Sequence, residues 1–235
     1  MSEDAARWYD AIYEFKDYAA ESARLCELIR SRCPAAKTVL DVGCGTGGHA
    51  RCLVENHRLS VTGIDVDERS LAIARAKVPL ASFVHADMVS LRLGRKFDAV
   101  VTLFGAIGYL RTIERLCESF RRLREHLSPG GVVVIEPFLT PDEFRAGRIV
   151  VQQGRTKDGT VERRCSTQLD GAVARLRFEY RTEERGEART FSETHELGLF
   201  SRAEVEDALA ACGLETEFVP EGLFGRGLWL AGAAA

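Results

Sequence analysis

The sequence predicts an α/β fold: a mostly parallel sheet with helices on both faces, carrying an antiparallel β insertion. Three observations predict it. Short apolar runs alternate with helical segments from residue 17 to residue 136. Those runs are continuously apolar, which marks strands buried on both faces. Between residues 141 and 200 the rhythm breaks into alternating stretches such as "ARLRFEYR", and α/β spacing resumes at Ser201.

Residues 17–32 read as a helix with Tyr18, Leu25, Leu28 and Ile29 on one stripe, ended by Pro34. Thr38–Val42 is a buried strand, and a helix runs from Gly48 to about Glu55. Ser60–Ile64 is the next strand, Glu68–Ala76 the next helix, Ser82–His85 and Phe97–Leu103 the next strands. Ile113, Leu116, Phe120, Leu123 and Leu127 recur at helical spacing, predicting a helix over Thr112–Leu127. Ser128-Pro129-Gly130-Gly131 reads as a tight turn before a strand over Gly131–Glu136. Arg148–Gln153, Val161–Leu169, Val173–Thr182 and Phe191–Phe200 read as antiparallel strands, with hairpin signals at Asp158-Gly159 and Asp170-Gly171. Ser201 and Glu204 form a capping box for a helix that ends at Gly213. Leu214–Val219 and Gly227–Ala231 are closing strands.

The 235 residues are 46% hydrophobic and 29% charged, with a formal net charge of −3. There is no basic excess to neutralise a phosphate backbone, so nucleic acid is not an expected partner. No apolar run approaches the ~18 residues of a membrane span, and the amino terminus lacks a secretory pattern, so no membrane partner is expected either. The seven cysteines are an odd number and form no C-x-x-C. That pattern suits reduced thiols in the cytoplasm. No His/Cys/Asp cluster has metal-ligand spacing, so no metal is expected.

The chemistry concentrates in "VLDVGCGTGG", Val39–Gly48. A glycine-rich turn between strand and helix lets a ligand reach bare backbone and helix N–H groups. Gly43-x-Gly45-x-x-Gly48 fits a dinucleotide fingerprint, which alone is a weak signal. Asp41 would repel a pyrophosphate. Asp65, ending the second strand, can accept both hydroxyls of a ribose. Asp87, in "HADM", can accept from the amine of adenine. The three acids suit a ligand with a cationic amine, a sulfonium, a ribose and an adenine.

"LDVGCGTGG", "GIDVD", "HADM", "FDAVV" and "LSPGG" resemble the motifs of class I S-adenosylmethionine methyltransferases, in the usual order. The resemblance implies a Rossmann-like, mostly parallel seven-stranded sheet formed by residues 1–140 and 201–235. Residues 141–200 are then an insertion serving as substrate cover, dimer surface or both, so a homodimer is expected. The implied cofactor is S-adenosyl-L-methionine, with S-adenosyl-L-homocysteine as product. Gly43 and Gly45 would face its methionine part, Asp65 its ribose, and Asp87 with Met88 its adenine. Thr46, Val66 and Leu103 join the expected cofactor site, and Tyr9 and Tyr18 would close over it.

A narrower resemblance runs along nearly the whole chain. "YDAIYEFKDYAAE", "LGRKFDAVV", "GAIGYL", "VVVIEPF", "HELGLF" and "GRGLW" are similar to the N,N-dimethyltransferases of nucleotide-linked deoxyamino sugars, which build macrolide sugars such as desosamine and mycaminose. It implies a dTDP-3-amino deoxysugar substrate, methylated twice, and a place in antibiotic biosynthesis. Tyr109 and Gly105-Ala106 stand where other members carry histidine and paired serines.

Methyl transfer is an in-line displacement, so the protein must orient the nucleophile; orientation of this kind can supply roughly 7–11 kcal/mol. Tyr109, after the fourth strand, is the first candidate to accept a proton or to orient the amine. Glu136 and His195 are further catalytic candidates, and Arg226 could pair with a diphosphate. His49, His57 and His126 read as surface or packing residues. The alternatives are a small-molecule O-methyltransferase and an N-methyltransferase for a non-sugar natural product. A non-catalytic cofactor-binding module and a nicotinamide oxidoreductase fit less well.

Overall fold

This computed structural model describes residues 3–233, so the expected body limits at 1 and 235 lie outside the described residues. Helices α1 (Glu3–Ile12) and α2 (Tyr18–Arg32) lead into β1 (Thr38–Val42), α3 (Gly48–Glu55), β2 (Ser60–Asp65), α4 (Glu68–Lys77) and β3 (Ser82–His85). β4 (Phe97–Thr102), a 3-10 helix (Ala106–Leu110), α5 (Ile113–Glu125) and β5 (Leu127–Ile135) follow. Then come β6 (Ile149–Thr156), β7 (Gly159–Asp170), β8 (Val173–Glu184), β9 (Glu187–Gly198), α6 (Arg202–Ala211), β10 (Leu214–Val219) and β11 (Leu228–Ala233).

The body is a 7-stranded sheet in the order β10-β11-β5-β4-β1-β2-β3. Its strands are parallel except β11, which runs antiparallel to both β5 and β10. Alternate residues of each strand enter separate cores. Val39, Val61, Val101 and Val134 pack against Leu25 and Ile29 of α2, Leu53 of α3 and Leu71 of α4. Leu40, Ile64, Val100 and Val133 pack against Leu116 and Phe120 of α5 and Leu209 of α6. Burial on both faces is why these strands read as unbroken apolar runs.

Two boundaries differ from expectation for one reason. The long helix ends at Glu125 because Leu127 already pairs with Phe97. The Ser128–Gly131 turn is not a link before the strand but a bulge inside it. Between the pairs Phe97↔Leu127 and Ala99↔Val132, β4 contributes Asp98 alone while β5 contributes Ser128–Gly131. Gly130 supplies the positive φ (73°) that the bulge needs. The last strand covers Leu228–Ala233 rather than 227–231.

The second sheet is a 4-stranded antiparallel meander, β6-β7-β8-β9. At the hairpins its strands run past most of their expected ends because each pairs right up to a two-residue loop, while β9 stops at Gly198 rather than Phe200. Arg185-Gly186, with φ of 52° and 83°, is the turn that matches strand twist. The sequence reading missed α1, although Ala5, Trp8 and Ile12 recur at helical spacing. They pack on Val161, Cys165, Phe178 and Tyr180, so α1 covers one face of the meander. The Ser201–Glu204 capping box is present. His49 and His126 are buried rather than on the surface, one bonded to Glu21 (2.8 Å) and the other accepting from the Leu93 N–H (2.9 Å).

Candidate active site

The parallel strands end on one edge, and β1 runs there into three left-handed glycines: Gly43, Gly45 and Gly47, with φ of 78°, 53° and 76°. The turn is held by the Gly43 and Cys44 N–H groups on the Ile64 carbonyl (2.8 and 3.0 Å). Asp65 holds it from the side: one oxygen accepts from the Gly45 N–H and the other from the Asp67 N–H, both at 2.9 Å. The glycines are not equivalent. A Cβ on Gly43 would lie 2.8 Å from the Ala106 Cβ, and one on Gly48 would lie 2.6 Å from the Tyr18 ring. Those two admit protein neighbours. Gly45 has nothing within 4 Å, so it is the glycine that leaves room for a ligand.

Asp41 is buried, 2% exposed. Burial and the neighbouring Asp65 push its pKa up to about 7. Burial also raises Asp65, against the pull of its N–H donors. A buried carboxylate without a cation, beside a second acid and an open glycine, fits a ligand with an ammonium group and a ribose. The same pair rejects a pyrophosphate. S-adenosylmethionine fits these residues, and when bound it supplies an electrophilic methyl on sulfur.

The other expected cofactor residues differ in availability. Val66 is 62% exposed beside Asp65, a free apolar surface for a flat base. Met88 is half-buried. Asp87 is divided: one oxygen accepts from its own turn, at the Val89 N–H (3.0 Å), and the other faces Arg115 (3.5 Å). The Thr46 hydroxyl is turned away, donating to Asp10 (2.6 Å) and accepting from Lys77 (3.3 Å). Leu103 is buried in the core, so neither Thr46 nor Leu103 offers a side chain to the cleft. The Tyr18 ring packs on Gly48 and edge-on to His49 (4.9 Å). Tyr9 stands 4.6 Å from Tyr13, and burial together with Tyr13, Tyr18 and Tyr109 raises its pKa. The tyrosines of the N-terminal segment thus meet the 3-10 helix.

That helix carries Tyr109. Phe104 and Gly105 both have positive φ (55° and 73°), which turns the chain sharply out of β4. Glu136 locks this corner, one oxygen accepting the Phe104 N–H at 2.6 Å. Its other oxygen is buried without a partner, and burial raises its pKa. Glu136 is therefore first a clamp and only by half an available acid. Tyr109 reaches across to the second sheet, its hydroxyl 2.6 Å from His195 Nδ1. Arg226 lies over Phe104 and Phe224, 5.7 and 5.0 Å from the ring centroids. Lys16 approaches the same rings (4.4 and 4.5 Å) while paired with Glu21. The sequence reading passed over Tyr13, Lys16, Glu21 and Arg163. Tyr9 and Tyr13 are four residues apart, a legible helical pair. Arg163 reaches the site from β7 through the Tyr13 hydroxyl (3.0 Å), and nothing local announces that.

Among the described residues, no group of His, Cys, Asp and Glu is arranged to hold a metal, and no helix is long and apolar enough to cross a membrane. A methyltransferase-domain family model matches residues 39–131. The chain is 39% identical over 230 residues to the dTDP-3-amino-3,4,6-trideoxy-alpha-D-glucopyranose N,N-dimethyltransferase of Streptomyces venezuelae, covering 97% of each protein. The crystal structure of Streptomyces venezuelae DesVI superposes with a TM-score of 0.92 at 39% identity, over 97% of this chain and 98% of that one. The S-adenosylmethionine-bound amino pentose methyltransferase CalS10 of Micromonospora echinaspora gives 0.84 at 34% identity, over 95% of each. The chain belongs to the family of S-adenosylmethionine-dependent methyltransferases that includes the dTDP-amino-deoxysugar N,N-dimethyltransferases.

Proposed function

We propose that this enzyme transfers methyl groups, twice, to the amino group of a dTDP-linked amino deoxysugar in the making of an antibiotic sugar. The observation that carries the reading is the juxtaposition at Tyr109. The Tyr109 hydroxyl, on the 3-10 helix that follows β4, touches His195 of the inserted sheet. In this reading Asp41 takes the cofactor's ammonium, Gly45 leaves room for its methionine part along the Gly43–Gly45 backbone, and Asp65 takes its ribose. Val66, Met88 and Asp87 receive its adenine, and Tyr9 and Tyr18 close the entrance. Tyr109 and His195 face the sugar amine, and the unpartnered oxygen of Glu136 accepts a donor from the substrate. Arg226, set among aromatic rings, pairs with the diphosphate.

Residues 141–200 act as the substrate cover in this proposal. The exposed Ile149 and Val151 on edge strand β6 support a second use as the contact between two copies. The seven free cysteines support a reducing, cytoplasmic setting. Thermal unfolding with S-adenosylhomocysteine, then with dTDP added, tests the reading, because ligands that bind only the native state stabilise it. Two successive upward shifts are expected. A shift with the first alone would replace the sugar nucleotide by an amine without a nucleotide handle.

A further inference from the structure

A row of hydrogen-bonded side chains leads from Tyr109 onto the covered face of the inserted sheet. The Tyr109 hydroxyl lies 2.6 Å from His195 Nδ1, and His195 Nε2 lies 3.0 Å from Glu193 Oε1. The same Glu193 oxygen accepts the Tyr180 hydroxyl at 2.9 Å. Glu193 and His195 are two apart on β9, so both side chains point to one face. The His195 and Glu193 side chains are only 17% and 11% exposed. The Phe178 ring stands edge-on to the imidazole, centroids 5.1 Å apart. The imidazole is thus held between a phenol and a carboxylate, against an aromatic wall.

We propose that Glu193 is a positioning residue which, acting through His195, makes the Tyr109 hydroxyl the proton acceptor for the substrate amine. The proposal rests on the amino-sugar reading. A carboxylate at Nε2 fixes the proton there and leaves Nδ1 free to accept. The phenol then donates to Nδ1 and turns its lone pairs to the cleft. An alkyl amine at neutral pH is largely an ammonium, which has no lone pair for attack. The step balances within the protein. An N–H bond of the ammonium breaks, and its proton passes to the Tyr109 oxygen as the phenol's proton passes to His195 Nδ1. The nitrogen keeps the electron pair, and the imidazolium remains beside the Glu193 carboxylate. A first methylation leaves a secondary ammonium, so the same transfer is needed before the second.

The groups facing the phenol agree with a relay rather than a resting phenolate. Burial, then Tyr13 of the N-terminal segment, Glu193 of β9 and Asp65 of β2 raise its pKa, while Arg163 of β7 opposes them.

The test compares Glu193→Gln, Glu193→Asp and Tyr109→Phe in the full chain, with S-adenosylmethionine and both the primary and the monomethylated dTDP-amino sugar. Glu193→Gln is expected to lower kcat about 10- to 100-fold near pH 7, within the range of general acid–base catalysis. KM should change by less than about twofold, and monomethyl product should accumulate. Most of the loss should return near pH 9, where solvent supplies the neutral amine. Tyr109→Phe should give the same recoverable loss, and Glu193→Asp, which keeps a carboxylate but shortens its reach, should lose less than Glu193→Gln. Nitrogen NMR of the imidazoles, with no ligand added, should place the His195 proton on Nε2 in the wild type and Glu193→Asp, and should find it divided between the Nε2–H and Nδ1–H tautomers in Glu193→Gln. A Glu193→Gln loss equal at every pH, unchanged activity, or an unchanged tautomer overturns the relay. A wild-type chain that methylates no dTDP-amino sugar overturns the substrate reading instead, and that control tells the two failures apart.

Discussion

The two sides of the cleft are assembled differently. Asp41, the glycine turn and Asp65 lie within residues 41–65, on two adjacent parallel strands and the turn between them, where two carboxylates flank a backbone held by the Ile64 carbonyl and the Asp65 side chain. Tyr109, His195 and Arg226 come from three separated segments, and their side chains are set against other side chains. The first side tolerates little change in shape. The second can change its chemistry one side chain at a time. Sharing a cofactor while varying a substrate asks for that division.

The sharpest way to break the comparison is Asp41→Asn. A charged hydrogen bond to an ammonium is worth about 1.5–3 kcal/mol, so affinity for S-adenosylhomocysteine should fall about 10- to 100-fold by calorimetry. The free protein should respond in the opposite sense. The folded pKa of Asp41 is about 7, above the ordinary 3.8, so the folded state holds a proton that the unfolded state has lost. Stability therefore falls as pH rises through that window, and the full penalty stands above about pH 7. Asparagine carries no such penalty. Denaturant unfolding without ligand should find Asp41→Asn near wild type at about pH 4 and more stable than wild type at about pH 8. A variant weaker at both would mean that Asp41 has a cationic partner in the free protein.

Gly43→Ala comes next. The left-handed φ and the 2.8 Å approach to Ala106 should cost about 1–3 kcal/mol by denaturant melts. It should also push the 3-10 helix and Tyr109 outward, so both sides of the cleft suffer. Arg226→Ala should act on one side alone: the added thermal shift from dTDP disappears and that from S-adenosylhomocysteine remains. Thr46→Val is the smallest, about 1 kcal/mol for the Asp10 bond that pins α1 beside the glycine turn.

The same division governed what could be read beforehand. Strands β1, β2 and β4 were legible because burial on both faces writes apolar residues into the chain almost without a break. The glycine turn and its acids were legible because they are neighbours in sequence. Glu21 with His49, and Arg163 with Tyr13, are contacts across 28 and 150 positions, which no local pattern encodes. Gly43 and Gly45 look alike in sequence, and only the approach of Ala106 separates a packing glycine from an open one. Ser-Pro-Gly-Gly carries the composition of a turn in either context, and pairing on both sides of it made it a bulge.

The place of β11 has a consequence for synthesis on the ribosome. The meander pairs neighbour with neighbour, so each hairpin can close as soon as it emerges. The body sheet cannot. One edge of β5 stays open until Leu228–Ala233 arrives to fill the gap between β5 and β10. For that interval the nascent chain displays a long apolar strand with unpaired N–H and C=O groups, an invitation to pair with another chain. A chain stopped before Leu228 should therefore form aggregates in sedimentation rather than an inactive monomer, and the meander should be its best-protected part in hydrogen exchange.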